Sequence, residues 1–227
     1  MVHSLNVKDI HNWDQFLAPY AQAVEELKIK LKSIRKQYRE EGKHAPIEFI
    51  TGRVKTTESI LEKMEMRHIP DDQLIEEVQD IAGIRIMCQF VEDIHEVVRL
   101  IKQRNDFDIV IERDYIHNQK PSGYRSYHLV VEYPVQRIDG EEKVYVEIQI
   151  RTLAMNFWAT IEHTLNYKYK GEYPERIHER LVNAAEAAFR LDEEMTQIRE
   201  EIKEAQFIFA RNREQSMKKE DNSNRML

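Results

Sequence analysis

Two carboxylates and a group of cations stand out in this chain as residues that could do chemistry. Asp80 lies just before an apolar run, in DIAGIRI, and Glu147 lies inside KVYVEIQIR at 143–151. Side chains of an extended strand alternate between its two faces. In 143–151 this puts Val144, Val146, Ile148 and Ile150 on a core face, and Tyr145, Glu147, Gln149 and Arg151 on the opposite one. The run 84–90 divides the same way, with Ile84, Ile86, Cys88 and Phe90 against Arg85, Met87 and Gln89. If the two polar faces coincide, Asp80 and Glu147 can share one Mg²⁺, which is typically bound by one or two carboxylates plus substrate phosphates. Arg53, Lys55 and Arg85 supply the positive charge that phosphoryl transfer needs nearby.

A second cluster is KPSGYRSYHLVVEY, residues 120–133. A turn that ends in an aromatic ring flanked by cations suits a flat, anionic ligand such as a nucleotide. Strand alternation puts Tyr127, Leu129, Val131 and Tyr133 on one face and leaves His128 on the other. The glycine-rich phosphate loops are missing: there is no G-x-x-x-x-G-K-[ST] and no G-x-G-x-x-G, and the six glycines do not cluster. Any triphosphate is therefore held by side chains. No His adjoins an Asp, the nine His show no metal-ligand spacing, and Cys88 reads as core.

These residues need a sheet and helices to position them. Residues 13–41 read as a helix, with Leu17, Tyr20, Val24, Leu27, Leu31, Ile34 and Tyr38 at steps of three and four and Gly42 as its terminal cap. A short strand and turn follow at 47–55, then a helix over 56–68 capped by Thr56 or Thr57. Strands are predicted at 84–90, 108–116, 126–133 and 143–151, with a helix at 92–104 and a hairpin turn at Asp139-Gly140. Helices return at 152–168 and 177–218. In the last, Ile177, Leu181, Ala184, Ala188, Leu191, Met195, Ile198, Ile202, Ala205 and Phe209 form a heptad seam.

The expected class is α+β: a mixed five-stranded sheet flanked by helices, with long N- and C-terminal helices. The expected organisation is a single domain over 1–227, with an N-terminal helix in 1–44, a catalytic core over 45–168, a C-terminal helix at 177–218 and a frayed tail at 219–227. The two terminal seams suit packing on the sheet, packing on each other, or self-association, and the length of the last helix favours self-association.

At 227 residues the chain can bury a full core. Its net charge of −7 argues against general nucleic-acid affinity but not against a small polyphosphate held by local cations. One cysteine excludes an intrachain disulfide and points to a reducing compartment, the cytoplasm. The opening MVHSLNVKDIHNW has neither a basic nor an apolar leader region, and the apolar runs fall short of the ~20 residues a membrane span needs.

The motifs G-R-V-K at 52–55, D-I-A-G-I-R at 80–85, K-P-S-G-Y at 120–124 with His128, E-I-Q-I-R-T at 147–152 and W-A-T-I-E-H at 158–163 occur in an order that resembles the small alarmone synthetases. These are the single-domain form of the RelA/SpoT-type (p)ppGpp synthetase. The resemblance covers about residues 45–165. It implies a nucleotidyltransferase-like sheet and transfer of the β,γ-pyrophosphate of ATP to the 3′-hydroxyl of GDP or GTP, leaving AMP.

The resemblance also implies roles. Arg53 and Arg85 would sandwich the adenine. Lys55, Ser59 and Lys63 would hold the ATP phosphates. Asp80 and Glu147 would bind Mg²⁺, and Glu147 would take the 3′-hydroxyl proton. Tyr124 would stack on guanine, with Lys120 and His128 near the acceptor's phosphates and Gln149 and Asn156 completing its pocket. Without an HD motif the chain would synthesise and not hydrolyse. Small members of the family resemble homotetramers, and in one subgroup the long product, pppGpp, activates the enzyme. Lys28, Lys32 and Arg35 on one helix face, with Phe49 and Thr51, are the candidate allosteric anion site here; a solvated helix face is the alternative.

Two other classes compete. Asp106-Phe107-Asp108 imitates the D-x-D pair of a polymerase-β-type nucleotidyltransferase, but no Gly-Ser precedes it and Glu147 would have no role. The basic stripe at 28–39 and the tyrosines could instead bind single-stranded RNA by charge and stacking.

Overall fold

One mixed sheet organises the chain. The computed structural model describes residues 6–168 and 174–224. Its strands are β1 (Phe49–Val54), β2 (Ala82–Cys88), β3 (Asp108–Asp114), β4 (Tyr127–Arg137) and β5 (Gly140–Thr152), in the order β1-β2-β5-β4-β3. β2 and β5 run parallel and every other pair is antiparallel. The mixed five-stranded sheet expected from the sequence is present.

β4 continues four residues past its expected end, through Pro134. Its partner β3 ends opposite Glu132, so at Pro134 the strand has a free edge, where a residue without an N–H costs no ladder bond. The β4–β5 hairpin turns through Ile138 and Asp139, with Arg137 opposite Gly140. The turn thus sits one residue earlier than Asp139-Gly140.

The helices are α1 (Trp13–Glu40), α2 (Thr57–Arg67), α3 (Leu74–Glu77), α4 (Val91–Lys102), α5 (Leu153–Lys168) and α6 (Glu175–Asn224). The short α3 and a 3₁₀ turn at Val7–Asp9 carry no apolar periodicity and were not anticipated. Asn12 caps α1 by accepting the amide of Gln15. The other end closes with Gly42 left-handed (φ 66°), its N–H bonded to the Arg39 carbonyl and that of Lys43 to the Tyr38 carbonyl. That is a Schellman closure. Tyr20, Ala23, Val24, Leu27 and Leu31 of α1 are buried on the sheet.

Gly52 permits this packing. A Cβ built there would lie 2.6 Å from Val24 Cγ1, 3.0 Å from Lys28 Cδ and 3.1 Å from Ile84 Cδ1.

The terminal helices find different neighbours, which corrects the idea that they pack on each other within one chain. α1 lies on the sheet, while α6 packs against α5 and α4. The inward stripe of α6 is Ala185, Phe189, Asp192, Thr196 and Arg199, one position off the expected seam. The stripe is mixed polar, so an apolar count passes over it. From Leu191 onward the seam faces outward: Leu191 and Ile202 are more than half exposed. The α6 backbone remains helical to Asn224, beyond the expected end at 218 and into the predicted frayed tail.

Gly52→Ala should destabilise the fold by about 1–3 kcal/mol, the range for an overpacked methyl. A urea titration checks this, with Gly83→Ala as control because a Cβ there meets nothing closer than 3.8 Å. Equal midpoints for the two variants would refute the account of Gly52.

Candidate active site

The polar faces of β1, β2 and β5 do coincide. Register places Arg53 opposite Gly83 and Gly83 opposite Glu147; the next rung runs Thr51, Arg85, Gln149. Asp80 reaches the same cleft from the residue before Ile81, so both carboxylates line it together with Arg53 and Arg85. Gly83 leaves its floor open.

Asp80 is held by two lysines, with Lys63 Nζ at 2.6 Å and Lys55 Nζ at 3.2 Å. Lys55 is fixed by its own amide, which donates to the Ile81 carbonyl at 2.8 Å. Ser59 lies in the first turn of α2, where its amide donates to the Thr56 cap at 3.3 Å. Lys55, Ser59 and Lys63 thus follow one another at four-residue steps past the end of β1.

Glu147 belongs to a closed ring of hydrogen bonds. His128 Nδ1 lies 2.9 Å from Glu147 Oε1, and His128 Nε2 lies 2.8 Å from the Tyr124 hydroxyl. Gln149 Nε2 donates to Glu147 Oε2 at 2.7 Å. Arg151 Nη2 closes the ring, donating to Gln149 Oε1 at 2.7 Å and to the Tyr124 hydroxyl at 2.6 Å. With a neutral imidazole the donors balance in one way. Arg151 donates to Tyr124, Tyr124 donates to His128 Nε2, and Nδ1–H donates to Glu147.

Burial works against the charge on Glu147, but the His128 bond and charge, the Gln149 bond and the Lys63 charge outweigh it and hold the carboxyl at about 2. Glu147 is an anion throughout the neutral range.

The cations crowd each other. Burial first, then the charges of Arg151 and Arg53, push the Arg85 guanidinium below its ordinary value. Burial also lowers Lys120, with Arg67, Arg113 and Arg151 adding to the effect against the pull of Glu147. Lys120 Nζ lies 4.7 Å from the Tyr115 ring centroid and 5.0 Å from that of Tyr124. This is a pocket short of negative charge on an acidic protein.

Sequence pattern alone assigns no role to Tyr115 or Arg151. Tyr115 stands edge-on to His128 at 5.2 Å and carries no periodic signal. Strand alternation did put Arg151 on the polar face. Asn156 is half-buried one turn into α5, away from the ring bonds. The five candidate allosteric residues do not converge within one chain. Lys28 lies over Gly52 on the helix side of β1 and pairs with Glu25; Arg35 pairs with Glu48; Lys32 is exposed. Thr51 is on the cleft side, and Phe49 shares its strand face. Asp106, of the rival D-x-D pair, is bound by Lys30 and Arg104 far along the sheet.

Behind the Tyr124 loop stands α6. Gly123 is left-handed (φ 84°), and a Cβ there would lie 2.6 Å from Ala185 Cβ. Arg125 pairs with Glu186 at 3.0 Å and stacks on Phe189. The Thr152 hydroxyl accepts the Met155 amide, capping α5, and donates to Asp192 at 2.6 Å. Burial pushes the Asp192 carboxyl up to about 6 against the effect of that bond.

A family model described as a region found in RelA / SpoT proteins matches residues 52–172. The chain is 61% identical over 208 residues to a GTP pyrophosphokinase of Bacillus subtilis, YjbM, covering 92% of this chain and 98% of that protein. It is 40% identical to a second one, YwaC, covering 89% and 98%. In structure it resembles the small alarmone synthetase 1 of Bacillus subtilis bound to its product pppGpp. The TM-score is 0.78 at 61% identity, covering 84% of this chain and 97% of that one.

Asp192 yields a pH prediction. Its folded value lies above the ordinary Asp value of about 3.9, so the unfolded chain ionises first and wild type loses stability as pH rises from about 4 to about 6. Asp192→Asn does not titrate, so its urea midpoint should gain on wild type across that window and hold the gain above it. Parallel profiles from pH 4 to 7 would refute the burial argument.

Proposed function

The chain belongs to the RelA/SpoT family, and from that premise we propose that it transfers the β,γ-pyrophosphate of ATP to the 3′-hydroxyl of GDP or GTP. The products are AMP and ppGpp or pppGpp. The observation that carries this reading is the shared cleft: two carboxylates and two arginines line it, two lysines pair with its Asp80, and Glu147 joins it by hydrogen bonds to the aromatic, cationic pocket of His128 and Tyr124.

Each half suits one nucleotide. Arg53 and Arg85 present guanidinium planes to the adenine. Lys55, Ser59 and Lys63 receive the ATP phosphates, the lysines exchanging Asp80 for phosphate oxygens. Tyr124 and Lys120 receive guanine and acceptor phosphate, with His128, Gln149 and Asn156 around them. The acceptor's 3′-oxygen attacks the β-phosphorus. The new bond is 3′-O to Pβ; the broken bond joins Pβ to the oxygen that departs with AMP. The hydroxyl proton passes to Glu147. A carboxyl held at about 2 is a weak base, so it accepts this proton only as the oxygen becomes bonded to phosphorus.

Among the described residues no cluster of three or more His, Cys, Asp or Glu could hold a metal ion. Two carboxylates in one cleft fit the mode in which Mg²⁺ takes its other ligands from substrate phosphates and water. Asp80 and Glu147 would hold it, and when bound it would neutralise charge on the transferring phosphates.

Beyond the reaction, we read the protein as a homotetramer of the cytoplasm without hydrolase activity. The support is the outward apolar row Leu153, Phe157, Ile161 on α5 and Leu191, Met195, Ile202 on α6, the single cysteine, and the lack of an HD motif. A product-binding site built from Lys28, Lys32, Arg35, Phe49 and Thr51 would have to be completed by a second copy, since these residues straddle β1.

Two experiments test this. Incubating ATP and GDP with Mg²⁺ should yield AMP and a tetraphosphorylated guanosine, and Glu147→Gln should lower the rate about 10²- to 10⁴-fold. Release of inorganic pyrophosphate instead would point to nucleotidyl transfer. Adding pppGpp should stimulate wild type and not Lys28→Ala/Lys32→Ala; equal stimulation of both would remove the proposed allosteric site.

A further inference from the structure

Arg151 is buried with 5% of its surface exposed, so it offers little to a substrate. Yet two of its three side-chain hydrogen bonds go to residues of the proposed acceptor pocket, Tyr124 and Gln149, and the third goes to the buried Ser126. Nη2 donates to the Tyr124 hydroxyl at 2.6 Å and to Gln149 Oε1 at 2.7 Å, and Nε donates to Ser126 Oγ at 3.2 Å. Its guanidinium carbon lies 5.1 Å from the Tyr124 ring centroid. Among the described residues it forms no ion pair with a carboxylate. A buried cation satisfied only by neutral acceptors is an expensive way to fill space, since a hydrophobic side chain would avoid the desolvation.

We propose that Arg151 is a positioning residue that sets the affinity of the guanosine acceptor pocket. The proposal rests on reading that pocket as the acceptor site.

The fork geometry of a guanidinium lets one nitrogen bridge two acceptors on different elements. Here it ties Tyr124, on the loop before β4, to Gln149 on β5. By donating to Oε1 it fixes which way the Gln149 amide faces, so that Nε2 must turn to Glu147. With a neutral imidazole, its bond to the Tyr124 hydroxyl sends that proton to His128, whose Nδ1–H then meets Glu147. Without Arg151, Gln149 Oε1 retains only Arg85 Nε, at 3.3 Å, and the phenol is held from one side. On the ATP side Asp80, Lys55 and Lys63 form their own group, and only Arg85 meets the ring, through its longer 3.3 Å bond to Gln149 Oε1.

The test is steady-state kinetics of Arg151→Met and Arg151→Lys, following AMP, with GDP varied at saturating ATP and then the reverse. Arg151→Met should raise KM for GDP about ten- to hundredfold, the range for losing hydrogen bonds to a charged donor, while KM for ATP stays within about threefold. Lysine, a point charge, should recover part of the loss. In a Tyr124→Phe background the Arg151→Met effect should shrink, because the two residues act through one bond.

Equal rises in both KM values, an unchanged GDP KM with only a lower melting temperature, or full additivity with Tyr124→Phe would overturn the proposal. If Arg151→Met does not fold, Arg151→Lys decides: a selective rise in GDP KM supports it and wild-type kinetics overturn it. If wild type itself makes no AMP from ATP and GDP, the acceptor-site reading fails first and takes this inference with it.

Discussion

The site depends on the parallel pairing of β2 with β5. These strands are far apart in sequence, with α4, β3 and β4 between them. Their register alone sets Gly83 against Glu147 and Arg85 against Gln149. A slip of one residue would send Glu147 into the core and bring Ile148 to the cleft, because strand side chains alternate with a period of two. Burial of Val144, Val146, Ile148 and Ile150 on one face, against Ile84 and Ile86, forbids that slip. The hydrophobic core is therefore what keeps the carboxylate in place.

The cleft itself is electrostatically strained. The chain as a whole is acidic, at −7, yet Arg53, Arg85, Arg151 and Lys120 gather near one groove, where burial and the neighbouring cations lower the proton affinity of Arg85 and Lys120. Such repulsion is tolerable only where it is offset, and here two carboxylates offset it from opposite sides. Asp80 binds the lysines of the β1–α2 corner, and Glu147 ends the ring that runs through His128, Tyr124, Arg151 and Gln149. An incoming anion joins a surplus of positive charge that already exists, which is how preorganised sites stabilise developing charge.

Much of this was readable from residue order. Alternation in 143–151 assigned both faces of β5 correctly because the strand is apolar on one side and polar on the other without exception. The helix of residues 13–40 was legible because its inward residues are all apolar. The reading failed where inward faces are polar. The inner stripe of α6 carries Asp192, Thr196 and Arg199, and an apolar count instead followed a seam that packs inward at Leu181 and Ala188 and faces away from this chain from Leu191 onward. Arg151 was visible as a polar-face residue, but its bonds cross from one element to another, and no local pattern reports contacts of that kind. Tyr115 was hidden for the same reason: its partners His128 and Lys120 lie on other segments of the chain.

A site that grips phosphate with side chains, and not with the backbone amides of a glycine loop, has a particular problem when empty. Backbone amides are neutral and can face water; buried lysines and arginines need partners. This chain meets the need for Lys55 and Lys63 by pairing both with its own Asp80. For these two, nucleotide binding would be an exchange of partners. On the proposed reading, Lys55 and Lys63 would turn from Asp80 towards phosphate, leaving Asp80 free to serve as an oxygen ligand to a divalent cation. In the free protein Asp80 compensates both lysines, so these two cations do not add to the crowding of the arginines. Glu147 differs from Asp80 here. Its partners His128 and Gln149 sit on the paired strands β4 and β5, which suits the fixed position that the proposed proton acceptor needs.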